Sequence, residues 1–375
     1  MNITYITNFP SIDVKYWSGT IHFMAESLAK KVSVDYITDL EAPDNLSLKI
    51  KRKLYGRVKK YWTDRSPEIS KGYARQIQKR LNSATDAILS HTSIPLAYLN
   101  TNKPMAFYTD ATFAAIVDYY HYYSDFSSQY IKEGMRTERM ALENSNLAIY
   151  ASDWAAESAI RDYDIDPEKV RVVPFGANLD KAPSLDDIRY SLNHRNRTKC
   201  KLLFLGVEWE RKGADIVIKA AESLIDMGLD VEVHIVGIPK IPMAEIPSFV
   251  INHGFINKGT AEGRKKMEVL MSESHFLFVP SRAEAYGVVF CEAMAFGVPC
   301  VSTMTGGIPT IIKNGLNGII LDIEATAIEY AKAIYETFAD SNLYNEIALS
   351  AYDDFVRRLN WDVAMDKVVK YMKEI

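Results

Sequence analysis

Phe276 to Cys300, FLFVPSRAEAYGVVFCEAMAFGVPC, is the segment with the clearest structural pattern in the chain. It begins with four apolar residues and then Pro280, and such a short apolar run is typical of a strand buried on both faces of a parallel sheet. A polar link to Glu284 follows, and the segment from Gly287 to Gly297 is then apolar on all sides except at Glu292. An all-round apolar helix is a buried helix. The stretch therefore predicts a strand, a link and a buried helix of an α/β protein.

Two carboxylates flank the predicted start of this helix. Glu284 stands eight residues before Glu292, a little over two helical turns, so both side chains are expected on one side. The free backbone N–H groups around Tyr286, Gly287 and Val288, together with the helix dipole, are predicted to bind an anion. Hydroxyl acceptors on either side of an anion site match the sugar, diphosphate and ribose of a nucleotide-sugar. The alternative is an ordinary strand-turn-helix in which one glutamate caps the helix and the other pairs with an arginine.

The same stretch resembles the donor signature of the retaining GT-B glycosyltransferases, specifically family 4, of the group 1 type. The resemblance rests on Glu284 and Glu292 and on five further motifs: AMAFGVP at 293–299, GGIP at 306–309, NGLNG at 314–318, FLG at 204–206 and RKG at 211–213. It covers about 202 to 322 closely and the N-terminal half loosely. It implies a GT-B fold, in which two Rossmann-like domains with parallel sheets face each other across a cleft.

The resemblance also implies roles for individual residues. Arg211 and Lys212 would neutralise the leaving diphosphate, Glu284 would orient the sugar hydroxyls, and Glu292 would hold the ribose. Two cations at a helix start are disfavoured by the helix dipole, so an anionic ligand explains them better than the alternative, a plain charged surface. Because these cations replace a metal ion, no metal and no cofactor are expected. The further predicted donor contacts are Gly19, Ile238, Ile256, Ala285, Tyr286, Gly287 and Val288, of which Ile238 and Ile256 lie in the stretches that hold the base.

Three positions depart from the pattern of the family. Gly19 stands alone in YWSGT, where many relatives have two glycines, so a plain β-α turn is the alternative to a backbone contact with the donor. Asp110 stands where relatives often have histidine. It is predicted to be a catalytic residue in the cleft, with its role left open, and the alternative is an N-cap for the helix after Ala111. Thr310 replaces a glutamate that relatives usually carry.

The length of 375 residues predicts two domains. The N-terminal, acceptor-side domain is expected to comprise residues 1–176, with the C-terminal helix 361–375 packed back on it. The nucleotide-sugar-binding domain is expected to comprise residues 177–360. Because residues 177–201 are mostly polar and charged, they are expected to begin this half as an interdomain linker.

Composition excludes several classes of protein. The net charge of −4 argues against nucleic-acid binding. Three cysteines without a CxxC pair indicate a reducing compartment, and the start of the chain enters a strand without a signal peptide, so a cytoplasmic protein is expected. No apolar run approaches the length of a membrane span, and no histidines stand at the spacing of zinc ligands.

Residues 46–65 carry eight basic side chains against one acidic one, with apolar residues among them at helical spacing. A basic amphipathic helix that ends in Tyr61-Trp62 is typical of an element that lies on an anionic membrane, here on its inner face. The alternative is a solvated basic face. The aromatic residues between 118 and 130 suit contact with a carbohydrate or lipid-linked acceptor, and they equally suit packing beneath a loop.

The sequence thus predicts a retaining, metal-independent glycosyltransferase of the hexosyltransferase type. It would move a sugar from a UDP- or GDP-sugar to a carbohydrate or lipid-linked acceptor, in bacterial-type glycan, polysaccharide or glycolipid synthesis. One alternative is a sugar phosphorylase on the same fold, which would use phosphate in place of the nucleotide. The other is a non-catalytic scaffold on a membrane. The sugar, the base, the acceptor, the linkage and the oligomeric state stay open.

Overall fold

The computed structural model describes residues 1–9, 14 and 16–375. These residues form two compact units. The first comprises Met1–Pro174 together with Trp361–Ile375, and the second comprises Phe175–Asn360. Each unit contains a six-stranded sheet in which every pair of neighbouring strands is parallel. The predicted α/β fold with two parallel sheets is therefore confirmed.

The first unit alternates strands and helices along the chain. Its strands are β1 (Asn2–Ile6), β2 (Ser33–Ile37), β3 (Ala87–Ser90), β4 (Met105–Thr109), β5 (Leu147–Tyr150) and β6 (Val170–Val172). Its helices are α1 (Thr20–Ala29), α2 (Leu46–Tyr55), α3 (Pro67–Arg80), α4 (Phe113–Ile116), α5 (Ser128–Asn144), α6 (Asp153–Tyr163) and α14 (Trp361–Met372). The strand order is β2-β1-β3-β4-β5-β6, and all residues of β3, β4 and β5 are buried, as expected for a parallel sheet covered on both faces.

The last helix of the chain, α14, packs on α1 within this first unit. Ser27 donates a hydrogen bond of 3.1 Å to Asp362, and Lys31 forms an ion pair of 2.9 Å with Asp366. The ring of Trp361 meets Tyr108 of β4 edge-on, with the ring centroids 6.3 Å apart. These contacts join the last helix to the sheet of the first unit.

The second unit is built in the same way. Its strands are β7 (Cys200–Leu205), β8 (Val231–Val236), β9 (Val250–Asn252), β10 (Phe276–Val279), β11 (Cys300–Thr303) and β12 (Gly318–Leu321). Its helices are α7 (Leu185–His194), α8 (Ala214–Asp226), α9 (Ala261–Glu273), α10 (Val288–Met294), α11 (Ile308–Ile311), α12 (Ala327–Ala339) and α13 (Ser341–Arg358). The strand order is β12-β11-β10-β7-β8-β9, so the direction of strand addition reverses between β7 and β10. The stretch from Phe276 to Cys300 supplies β10, a link and α10 next to this reversal.

The predicted linker at residues 177–201 is wrong, because this segment contains α7 and belongs to the second unit. Ser184 and Asp187 form a capping box at the start of the helix, in which each side chain accepts a bond from the other's backbone N–H. Ile188 and Leu192, one turn apart, are buried. Two apolar residues on one face are enough to hold a helix whose remaining residues are mostly polar.

The basic segment at residues 46–65 is not one continuous helix. It forms α2, which begins after the N-cap Asn45 and ends at Tyr55, and a following turn. Two of its cations point inward: Lys51 pairs with Glu68 and Glu133, and Arg65 pairs with buried Glu138 at 2.9 Å. These two cations are therefore paired within the first unit.

Most of the aromatic stretch between 118 and 130 packs beneath its own loop. Tyr120, Tyr123, Phe126 and Tyr130 are buried, whereas Tyr122 is exposed. The rings of Phe126 and Tyr130 lie 4.3 Å apart, and Trp62 meets Phe126 edge-on at 4.8 Å. The structure thus favours the packing interpretation for these four residues.

None of the helices in the described ranges is long and apolar enough to cross a bilayer. Cys200, Cys291 and Cys300 are free, buried thiols.

Candidate functional site

Several predicted site residues of the second unit lie on the links that follow two adjacent strands, β7 and β10. In the sheet, Leu203 of β7 is paired with Leu277 of β10, so the links after both strands leave the same edge of the sheet side by side. This edge lies at the reversal of strand order. In open α/β sheets, ligands bind outside the carboxyl ends of the strands at such a reversal.

The two links bring Arg211, Lys212 and Glu284 together. The Lys212 ammonium donates directly to the Glu284 carboxylate, and Arg211 Nη1 lies 3.6 Å from the same carboxylate oxygen. Lys212 and Glu284 are buried, and Arg211 is partly exposed. Two cations therefore meet at one carboxylate at the strand ends, and Arg211 has Glu208 as a second acidic partner. Such an arrangement favours an anionic ligand.

The links are also joined to each other through two arginines. The backbone N–H of Arg282 donates to the Arg211 carbonyl at 2.8 Å, and Arg211 Nη1 donates to the Ala283 carbonyl at 2.9 Å. The Arg282 guanidinium donates to the Glu210 carbonyl and makes two bonds of 2.8 Å to Asp215, in the first turn of α8. Each link thus carries an arginine that bonds to the backbone of the other.

Two acidic residues hold these arginines. Burial alone would raise the pKa of Asp215, but the hydrogen bonds and the charge of Arg282 hold it below its usual value. Glu208 accepts bonds of 2.9 and 2.7 Å from Arg211, three residues later in the chain. Asp215 therefore stays charged at neutral pH, and both carboxylates are fixed partners of the two guanidinium groups.

Gly213 allows the close approach of the two links. It is the N-cap of α8 and has a left-handed backbone conformation, with φ of 73°. A Cβ atom at this position would overlap the carbonyl oxygen of Pro280, which ends β10. Any residue other than glycine would therefore combine backbone strain with a collision.

Helix α10 begins where the sequence predicted it, after the link that carries Glu284. Gly287, with φ of 97°, is the N-cap, and Val288 is the first helical residue. Glu284 lies on the link before the helix and Glu292 on the helix itself, as predicted, while their position on one side stays a prediction. Tyr286 is buried, and its hydroxyl donates to the Phe175 carbonyl at 2.8 Å.

Other residues of this link are also held by contacts within the second unit. Ala285 is buried, and the Glu284 carbonyl accepts a bond of 3.1 Å from Gly307 N–H after β11. The link from 284 to 288, which follows β10, therefore lies beside the segment that follows β11. A donor contact from Ala285, Tyr286, Gly287 and Val288 stays a prediction.

Glu292 lies inside the second unit, on α10. Its two carboxylate oxygens accept bonds of 2.7 and 2.9 Å from the ammonium of Lys258, on the link before α9. A buried carboxylate without a partner is costly, and this pair meets that need with a lysine where the sequence alternative had suggested an arginine. Lys258 had no sequence signal of its own.

The predicted base contacts follow β8 and β9. Gly237 N–H donates to the Gly254 carbonyl at 2.8 Å, which joins the two links. Ile238 is buried and Ile256 is partly exposed. The two links are therefore adjacent, while contact of either residue with a base stays a prediction.

Gly19 and Asp110 belong to the first unit. Gly19, with φ of 87°, is the N-cap of α1, so the helix begins at Thr20 without a side-chain cap. Asp110 directly follows β4, and it is not the N-cap of α4: Thr112 holds that position and accepts a bond of 3.1 Å from Ala115 N–H. The roles assigned to Gly19 and Asp110 stay predictions.

Within the described ranges, no cluster of three or more His, Cys, Asp or Glu side chains is arranged to hold a metal ion. The residues that sequence reasoning missed are Lys258, Glu208 and the pair Arg282–Asp215. Only Glu208 had a signal, since a carboxylate three residues before an arginine is a common pairing within one turn.

Two family profiles match the chain. The one described as glycosyl transferases group 1 matches residues 191–354, and the one described as glycosyltransferase family 4 matches residues 20–181. Together they account for most of both units.

Curated relatives and solved structures agree with these matches. A D-inositol 3-phosphate glycosyltransferase of Corynebacterium jeikeium is 24% identical over 268 residues, covering 64% of this chain and 59% of that protein. The corresponding protein of Geodermatophilus obscurus is 27% identical, covering 62% and 53%. The match therefore spans a little over half the length of these relatives.

Two solved structures extend over the whole chain. Sucrose-phosphate synthase from Thermosynechococcus elongatus superposes with a TM-score of 0.68 at 16% identity, covering 100% of this chain and 98% of that one. HepE of Anabaena, in complex with UDP-glucose, superposes with a TM-score of 0.64 at 15% identity, covering all of both chains. At these identities the likeness shows the fold, and it confirms the predicted GT-B type.

Proposed function

Because this chain belongs to the group 1 glycosyltransferases of family 4, we propose that it transfers a sugar from a nucleotide-sugar to an acceptor. The observation that carries the proposal is the cluster of Arg211, Lys212 and Glu284 at the reversal of strand order in the second unit. The cluster supplies two cations for a diphosphate and a carboxylate for sugar hydroxyls. The cluster therefore contains a charged partner for the diphosphate and another for the sugar of the donor.

The proposed transfer retains the configuration at the anomeric carbon. The bond from this carbon to the diphosphate oxygen breaks, and a bond from the same carbon to the acceptor oxygen forms on the same face. The acceptor's proton moves to the departing phosphate. Arg211 and Lys212 stabilise the negative charge that develops on the diphosphate, while Glu284 orients the sugar hydroxyls and opposes the positive charge on the sugar. This division of work requires no metal ion and no cofactor.

The donor is proposed to be a UDP- or GDP-sugar carrying a hexose. The solved structure of HepE with UDP-glucose supports a UDP-sugar as the first choice. The acceptor is proposed to be a carbohydrate or a lipid-linked glycan, in glycan, polysaccharide or glycolipid synthesis. One similar protein, 23% identical, is encoded in the cps region of Klebsiella pneumoniae. WaaG, a glycosyltransferase of lipopolysaccharide biosynthesis, superposes with a TM-score of 0.65.

The test begins with the donor. The purified chain is mixed with UDP-glucose, GDP-mannose or ADP-glucose, and the thermal unfolding midpoint is measured with each. The donor that stabilises most is then incubated with glycan and glycolipid extracts, and the released product is identified. Release of the nucleoside diphosphate supports the proposal. Release of a sugar phosphate from a glycan in the presence of inorganic phosphate would instead favour the phosphorylase, and stabilisation by none of the donors would contradict the proposed transferase.

We also propose that the enzyme works at the inner face of an anionic membrane, which α2 contacts. Three aliphatic side chains at intervals of four residues form a stripe on α2, Leu46 (72% exposed), Ile50 (55%) and Leu54 (55%), and Val58 (91%) is exposed on the turn that follows. Leu48 is the single buried residue of α2. A helix that buries one side chain and exposes an apolar row is poorly explained by packing within its own unit.

The charges around this stripe fit an anionic surface. Lys53 and Arg57 are exposed, and no carboxylate of the described residues lies within 4 Å of either cation. Lys49 and Lys59 are exposed and pair with Asp44 and Asp125. Each basic residue near an anionic leaflet contributes about 1 kcal/mol to binding, and the contribution falls as salt screens it.

Flotation with vesicles tests this contact. The wild-type chain is expected to float with phosphatidylglycerol vesicles at low salt, to float less at high salt, and not to float with phosphatidylcholine. The variant Lys53→Glu/Arg57→Glu is expected to lose most of the binding. The matched control Lys30→Glu/Lys79→Glu, which changes two exposed lysines of the same unit by the same charge, is expected to keep it. Equal binding by both double variants would exclude α2 as the contact.

A further inference from the structure

We infer that Lys258 is an internal competitor of the ribose for Glu292, and that it thereby sets how strongly the enzyme discriminates ribonucleotides from deoxyribonucleotides. This inference rests on the proposed function, in which Glu292 holds the ribose of the donor. It concerns a residue outside the motifs that define the family resemblance.

The geometry places one cation on both oxygens of the Glu292 carboxylate. One ammonium donates to both oxygens of Glu292, at 2.7 and 2.9 Å, and only 2% of the Glu292 side chain is exposed. Two ribose hydroxyls would donate to the same two oxygens. The ammonium in the free protein therefore stands where the hydroxyl donors of the ligand have to be.

The two partners differ in how easily they move. Glu292 lies on the buried helix α10, whereas Lys258 lies on the link before α9 and has 38% of its side chain exposed. The backbone of this link is fixed, because the Lys258 carbonyl accepts a bond of 3.1 Å from Arg264 and Asn257 Oδ1 accepts one of 2.9 Å from Gly259. Displacement therefore requires only that the Lys258 side chain rotate toward solvent.

Replacing Lys258 by the ribose hydroxyls as donors to Glu292 changes the binding free energy in a predictable direction. A buried carboxylate that loses its cation has a strong demand for hydrogen-bond donors, and a bond to a charged group is worth about 1.5–3 kcal/mol. Without Lys258, the ribose hydroxyls would donate to Glu292 in its place and would contribute more to the binding free energy. With a cation that binds Glu292 more strongly than Lys258 does, the hydroxyls would contribute less to the binding free energy. Arginine is such a competitor, because its planar fork bonds a carboxylate at two points.

The experiment measures affinities of UDP and 2′-deoxy-UDP, and of GDP and 2′-deoxy-GDP, by calorimetry. For the base that the wild type binds, the ribo-to-deoxyribo affinity ratio is compared among wild type, Lys258→Met and Lys258→Arg. We expect Lys258→Met to raise the ratio about tenfold, following from the bond strength above. Lys258→Arg is expected to lower it. Lys265→Met, which removes an exposed lysine from α9, is expected to leave it unchanged.

The outcomes separate the two proposals. If neither UDP nor GDP binds the wild type, the proposed function fails, and this inference fails with it. If a nucleotide binds but Lys258→Met leaves the ratio unchanged or lowers it, the competition is wrong while the proposed function stands. Should Lys258→Met not fold, Lys258→Gln serves in its place, since its amide can still donate one bond to Glu292 without the charge. Its ratio is expected to rise as well, and an unchanged ratio overturns the inference.

Discussion

Lys212 and Glu284 form a buried ion pair between the links that follow β7 and β10, and Arg211 approaches the same carboxylate to 3.6 Å. Either cation alone could balance the carboxylate. Arg211 is also bonded to Glu208 and to the Ala283 carbonyl, so the links themselves hold an arginine and a lysine side by side at the strand ends, where a ligand of opposite charge would bind.

The first prediction concerns this pair. Lys212→Met and Glu284→Gln should each lower kcat by about 10²–10³-fold, because each removes a group that faces charge developing in the transition state. Both variants should still fold, since Arg211 remains beside Glu284 in the first and the second keeps the shape of the side chain. Turnover and far-UV circular dichroism check this. Lys219→Met, an exposed lysine on α8, is the control and should behave as wild type. Wild-type turnover by a folded Lys212→Met variant would remove Lys212 from the reaction.

The second prediction concerns the pair Arg282–Asp215, which holds the two links together without lying in the cluster itself. Arg282→Gln and Asp215→Asn should each lower kcat several-fold with a smaller change in KM, because Arg211 is then held less firmly beside Glu284. The double variant should be little worse than either single one, since both changes break the same contact. A double-mutant cycle on kcat measures the coupling. Strictly multiplicative effects would show that the two residues act separately.

The same pair has a predictable pH dependence. The pKa of Asp215 is held below its usual value, so the pair is fully formed above the pKa that aspartate has in the unfolded chain and is lost only as the pH falls through the lower, folded value. The ratio of wild-type to Asp215→Asn turnover should therefore be constant from pH 5 to pH 9. A ratio that changes within this window would point to another titrating group.

The third prediction concerns Gly213. Gly213→Ala adds a left-handed alanine, which costs about 1–2 kcal/mol, and also a collision with the Pro280 carbonyl. Gly228→Ala is the matched control, because Gly228 has φ of 91° but no atom within 4 Å of the added Cβ. Urea unfolding should show a larger loss of stability for Gly213→Ala than for Gly228→Ala, and turnover should fall only in the former. Equal losses would mean that the two links can move apart freely.

The fourth prediction concerns His275, which is buried in the second unit. Burial, with Arg195 and Arg197 nearby, lowers its pKa from 6.5 to about 3. Below pH 6.5 the unfolded chain then binds a proton that the folded chain does not. The free energy of unfolding therefore decreases as the pH is lowered, by up to about 1.4 kcal/mol per pH unit. His275→Gln, whose amide oxygen can still accept the bond from Lys201 N–H, should remove this slope between pH 6 and pH 4. His194→Gln, at an exposed histidine, should keep it, and urea unfolding at several pH values measures both.

Sequence reasoning was most successful where a local pattern decides local structure. The apolar run at Phe276–Val279 is a buried strand, and Gly287 starts a buried helix after a link. It also led to Arg211 and Lys212 beside Glu284, because links that follow parallel strands leave the same edge of a sheet. It failed where few residues carry the signal: α7 depends on two buried side chains in a polar stretch.

The pairs that give this site its character were outside the reach of the sequence. Lys258 and Glu292 are 34 residues apart, and Arg282 and Asp215 are 67 apart. No periodicity links such residues. Any of several lysines and arginines in the second unit could have met either carboxylate.

Most of the strands and helices in their order, the family, and the group of residues that follows β7 and β10 could be read from the sequence alone, because periodicity, turn residues and motifs act over short distances along the chain. Only the tertiary structure decided which cation faces which carboxylate and which basic side chains of 46–65 point outward. Side-chain pairing depends on how the links fold over the strand ends, and that is set by contacts between segments distant in the chain.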